Sequence, residues 1–125
     1  MGVPNFVLNA RTDALFTPYQ DSPPSLNAAL TRAKAYLAAG AFNIFIWGGP
    51  SRQGWSRADV ERATRELGGR LNVLLVRMAP GGLSVRELGE IGVCRISLGP
   101  QIMLGMRGWL EGEVRGILEG RGVGE

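Results

Sequence analysis

The sequence predicts an α/β fold in which four consecutive strand–helix units build one parallel sheet. Two observations carry this. Four apolar, β-branched or aromatic runs alternate with four helical patterns, and single helices rather than hairpin turns separate the runs. Each strand must therefore return by a crossover, which is right-handed and leaves neighbours parallel. The runs are also nearly continuous in apolar residues, the pattern of strands covered by helices on both faces.

The first run, Phe6 to Ala10, ends in Arg11-Thr12-Asp13, and a Pro-rich loop follows from Tyr19 to Pro24. A helix opens at Ser25, where Leu26, Ala29, Leu30, Ala33 and Leu37 keep the 3.6 period, and Gly40 stops it. The second strand, Asn43 to Trp47, closes on Gly48-Gly49-Pro50. Ser56 with Asp59 reads as a variant capping box for the next helix, with Val60, Ala63, Thr64 and Leu67 facing inward and Gly68-Gly69 at its end. Leu71 to Met78 is the third strand. Pro80-Gly81-Gly82 then leads to Ser84 and Glu87, a second box ahead of Val85, Leu88 and Ile91, and Gly92 stops this short helix. The fourth strand, Val93 to Leu98, turns through Gly99-Pro100 into a last helix from about Gln101 to Glu119. Gly105, Gly108, Gly112 and Gly116 weaken that helix by roughly 1 kcal/mol each relative to alanine, although Ile102, Met106, Trp109, Leu110 and Ile117 keep helical spacing.

Composition narrows the chemistry. The 125 residues are 45% apolar and 20% charged and suit one domain, read as residues 1–125 without a linker. Net charge is +3, and the basic residues are scattered rather than striped, so no nucleic-acid partner is expected. The longest apolar run is far short of a membrane span, no membrane partner is expected, and a cytoplasmic location is the default. One cysteine, Cys94, permits no internal disulfide. The absence of histidine excludes Ser-His-Asp and Cys-His chemistry within the chain.

Ligands of parallel α/β sheets bind at the carboxyl ends of the strands, which singles out Arg11, Asp13, Trp47, Gly48 and Ser97. Arg11 can fork onto a carboxylate or phosphonate, or else pair with Asp13 as a structural bridge. Asp13 reads as a turn residue or as the support of Arg11, Trp47 as pocket wall or core. The Ser97 hydroxyl meets either a ligand oxygen or a backbone carbonyl. Pro80-Gly81-Gly82 either cradles an anion or shapes a turn. Cys94, inside an apolar strand, reads as a small buried hydrophobe.

The stretch FVLNARTDAL (Phe6 to Leu15) resembles the strand of the isocitrate lyase/phosphoenolpyruvate mutase superfamily whose ARTD segment carries a substrate-binding arginine. SLNAALTRAKAYLAAGA, NIFIWGG, LNVLL, GGLSVRELGEIGV and CRISLGP are similar to that superfamily's following helix and strands, in its order. The resemblance covers about Phe6 to Met106. It implies the C-terminal half, (β/α)4, of a TIM-type (β/α)8 barrel. It also implies a magnesium-dependent lyase or phosphonomutase acting on C–C or P–C bonds of 2-oxo acid-derived substrates.

By the same resemblance, Arg11 would bind the substrate's carboxylate or phosphonate, and Asp13 would support that strand end. The chain departs from the pattern at Phe42, in place of a common aspartate, at Trp47, in place of an acid near the metal, and at Val76 to Met78, which lacks an asparagine. The magnesium ligands and the catalytic loop belong to the other half, so the expectation is a truncated form, inactive alone, that forms homo-oligomers through its open edges. The alternative is a non-catalytic α/β module that self-associates or pairs with a separate N-terminal half.

Overall fold

Three of the four helices start where a serine caps them, and the last follows Pro100 without a side-chain cap. In the computed structural model the order is β1 (Asn9–Thr12), α1 (Leu26–Ala38), β2 (Asn43–Ile46), α2 (Arg57–Glu66), β3 (Leu71–Leu74), α3 (Val85–Ile91), β4 (Arg95–Ser97) and α4 (Gln101–Leu118). The structure describes residues 2–3, 5–18, 23–49, 55–75 and 82–124. Tyr19 to Ser22, Pro50, Val76 to Met78 and Pro80-Gly81 lie outside the described residues.

Three serine caps satisfy amide groups that the first helical turns leave without partners. Ser25 Oγ accepts from Ala28 N, Ser56 Oγ from Asp59 N and Ser84 Oγ from Glu87 N. Only at Ser84 does the acid reach back, its carboxylate accepting from Ser84 N at 2.8 Å and closing the full box. Gly40 and Gly92 end α1 and α3 at φ of 101° and 89°, a region that a side chain would strain. Replacing Ser84 by alanine should cost about 1 kcal/mol, read as a lowered melting temperature.

Acid should act on the same cap. The backbone amide and hydroxyl of Ser84, with Arg57 nearby, hold the Glu87 carboxyl below its ordinary value of 4.5. Hydrogen bonds from Lys34 and Arg62 do the same for Glu66, tying α1 to α2. A carboxyl depressed in the folded state adds stability above its unfolded value, and that stability is lost as pH falls through the folded value. Melting temperature should therefore drop below about pH 4.5, and the drop should be shallower in a Glu66→Gln, Glu87→Gln double variant.

All strand pairs are parallel, and the sheet order β1-β2-β3-β4 follows the chain. With right-handed crossovers, a sheet wound in one direction carries its helices on one face. Side chains alternate accordingly. Ile44, Ile46, Leu71 and Val73 join Ala29, Leu30, Ala33, Val60, Ala63, Leu67 and Leu88 in the buried core, with Ala10 and Ile96 packed against it. The alternate positions Arg11, Phe45, Asn72 and Arg95 share one register row on the opposite face. That face contributes no residue to the apolar core, although Asn43 and Asn72 on it are buried.

Several expectations are corrected here. Helices cover one face of the sheet, not two, because the winding never reverses. The first strand lies later than expected, at Asn9–Thr12, and Phe6 to Leu8 are exposed. Cys94 precedes β4 and is exposed, its thiol donating to Leu71 O at 3.2 Å. Val85 faces solvent, leaving Leu88 as the buried residue of α3. The apolar positions of α4 are also outside, with Trp109 65% exposed, and this helix adds no side chain to the core. No described helix is long and apolar enough to cross a membrane.

Candidate functional site

The alternation that sends Ile44 and Ile46 into the core sends Arg11, Asp13, Phe45 and Trp47 to the uncovered face, at the carboxyl end of β1 and β2. Arg11 is the centre of this cluster. Its Nε donates to Asp13 Oδ1 at 2.7 Å and its Nη2 to Asp13 Oδ2 at 3.1 Å, a bidentate pair. Its guanidinium carbon lies 4.8 Å from the Trp47 ring centre and 5.5 Å from that of Phe45, within cation–π reach. The Trp47 ring in turn meets Phe16 edge-on at 4.6 Å. Of the two alternatives at Arg11, the structure shows the bridge to Asp13.

Of the five N–H groups of a guanidinium, two are taken by Asp13, leaving both on Nη1 and one on Nη2 for an oxyanion. The Asp13 hydrogen bond holds Arg11 above its ordinary pKa, so the cation is permanent. Thr12 fixes the turn after the strand from the core side, its Oγ1 accepting from Ala14 N at 3.2 Å. Asp13 O accepts from Thr17 N and from Thr17 Oγ1.

Gly48 follows Trp47 at the same rim, and Gly49 adopts a φ of 102° with the Phe16 ring 3.3 Å from where a Cβ would stand. Ser97 sits on the same face but three strands from Arg11, about 14 Å by strand spacing. Its hydroxyl donates to Asn72 Oδ1 at 3.0 Å, so its partner is a side chain and not a backbone carbonyl. Sequence reasoning missed Asn72, Phe45 and Arg95. Their signal was a polar or aromatic residue at every second position of β2, β3 and β4, masked by the apolar neighbours between them.

Among the described residues no group of three or more Cys, Asp or Glu side chains could hold a metal ion. The acid at the rim, Asp13, has both oxygens on Arg11. The donors present here do not fit a magnesium ion.

The phosphoenolpyruvate phosphomutase family model matches residues 1–118. The chain belongs to this family. It is similar to the crystal structure of a candidate lyase/mutase from Burkholderia cenocepacia J2315, with a TM-score of 0.70 and 26% identity over 90% of this chain and 37% of that one. It is also similar to a candidate phosphonomutase from the same organism, with a TM-score of 0.68 and 33% identity over 88% of this chain and 42% of that one. No curated protein matches it. The chain spans about two fifths of the length of these solved structures, and its four parallel strand–helix units are the half of a (β/α)8 barrel.

Proposed function

We propose that the chain supplies the carboxylate- or phosphonate-binding rim of a lyase- or phosphonomutase-type enzyme acting on C–C or P–C bonds of 2-oxo acid-derived substrates. By itself it binds the anion without turning it over. The observation that carries this reading is the Arg11 fork, braced by Asp13 and backed by Trp47, with three N–H donors left at the carboxyl rim of a parallel sheet. Gly48 allows close approach beside Trp47, and Ser97 closes the far side of the rim. Magnesium, in this reading, is held by residues outside those described.

Two charge-assisted hydrogen bonds of about 1.5–3 kcal/mol each support a millimolar dissociation constant, roughly. Calorimetric titration with oxalate and with phosphonopyruvate in magnesium-free buffer should give saturable heat. An absence of heat at high ligand concentration would overturn the reading. A second reading, a non-catalytic module that self-associates, draws on the exposed Ile102, Met106, Trp109 and Leu110 of α4. A chain that sizes as an oligomer and yet ignores both anions would favour it.

A further inference from the structure

The rim around Arg11 carries aromatic surface that the core does not use. Phe45 lies in β2, Trp47 just beyond its end, and Phe16 reaches them from the turn after β1. None of these three rings belongs to the apolar core or packs against it, and each is only partly exposed. The backbone makes room for them. Gly49 holds a φ of 102°, and a Cβ there would stand 3.3 Å from the Phe16 ring, so the turn after β2 is shaped around that ring.

Arg11 covers part of this wall, its guanidinium carbon 4.8 Å from the Trp47 ring centre and 5.5 Å from that of Phe45. Phe16, edge-on to Trp47 at 4.6 Å, extends the wall by one more ring. Asp13 takes the Nε and Nη2 side of the guanidinium, which leaves the end formed by Nη1 and Nη2 as the open edge. An anion held on that edge keeps its remaining atoms beside the rings. A second charge there gains nothing from apolar surface, whereas an apolar substituent gains by leaving water. An aromatic substituent gains further, because ring pairs attract when their centres are about 4.5–7 Å apart.

We propose that the rim selects a 2-oxo acid bearing an aromatic substituent, with Arg11 taking the carboxylate and the wall of Phe16 and Trp47 taking the ring. Phe16 determines this specificity, since it meets the substituent and not the acid group. The inference rests on the anion-binding reading of Arg11 and names the class of ligand that the same site prefers.

Pyruvate and benzoylformate are a matched pair of probes: both are monoanionic 2-oxo acids, and they differ by a methyl against a phenyl group. Titration calorimetry should find benzoylformate bound about tenfold more tightly than pyruvate. In Phe16→Ala that ratio should fall to about two or less, whatever the absolute affinities become. Equal affinities in the wild-type chain would overturn the proposal, and so would a tenfold ratio that survives Phe16→Ala. Oxalate, titrated alongside, keeps the two readings apart. Oxalate heat with no advantage for benzoylformate defeats the aromatic preference alone, whereas no heat from any of the three ligands defeats the Arg11 reading and this preference with it. If circular dichroism shows Phe16→Ala unfolded, nuclear Overhauser contacts in the wild-type chain replace it. The phenyl protons of benzoylformate should then see the ring protons of Phe16 and Trp47, and contacts to neither ring would overturn the proposal.

Discussion

Replacing Ile44 by alanine should destabilise the chain by about 3–4 kcal/mol, whereas replacing its neighbour Phe45 should cost about 1 kcal/mol or less. Ile44 is 0% exposed, sits in register between Ala10 and Leu71, and lies under α1. Truncation there leaves a cavity walled by strands on both sides, which the sheet cannot collapse to fill. Phe45 is larger but faces away from the helices and is half-exposed, so its loss removes mainly the contact with Arg11. For a domain whose total stability is about 5–15 kcal/mol, the first change should lower the urea midpoint by about 2 M, and the second should barely move it. Equal costs at the two positions would mean that both faces are covered, and the one-direction winding would be wrong.

Arg11→Ala should abolish oxalate binding, weakening it by about 100-fold or more, since both charge-assisted hydrogen bonds go together. Stability should hardly change, because the Arg11–Asp13 pair is about half-exposed and such pairs contribute little. Arg11→Lys keeps the charge but loses the planar fork that Asp13 and Trp47 orient, and should weaken binding about tenfold. Calorimetry on the three proteins, with urea melts alongside, separates a lost contact from a lost fold. Oxalate binding that survives Arg11→Ala would move the anion site elsewhere.

Much of the fold was legible because it rests on local chemistry. Ser25, Ser56 and Ser84 announce helix starts through their side-chain oxygens, and Gly40, Gly68 and Gly92 announce ends through their positive φ. Parallel pairing follows from crossover length alone. Strand burial was misread because it depends on the winding direction, which no local pattern encodes: LNVLL looks apolar throughout, yet Asn72 lies on one face and Leu71 and Val73 on the other. Cys94 and α4 failed for a related reason. Their apolar composition implies cover, and the cover is not supplied by the described residues.

The site was legible in its centre and not in its rim. Arg11, Asp13 and Trp47 converge because successive parallel strands deliver their carboxyl ends to one edge. Their bidentate and cation–π geometry depends on Phe45 and Phe16, whose roles no spacing reveals. Ser97 lies at the strand end where the sequence places it, but its bond to Asn72 and its distance from Arg11 follow from the sheet register, which no local pattern reveals.

Amide and guanidinium NMR shifts recorded during an oxalate titration test the whole account at once. Arg11 Nε–H and the backbone amides of Asp13, Trp47 and Gly48 should shift together along one saturating curve, while Phe42 and Cys94 at the opposite end of the strands stay still. Shifts centred on that opposite end or on α4, with Arg11 unmoved, would contradict it.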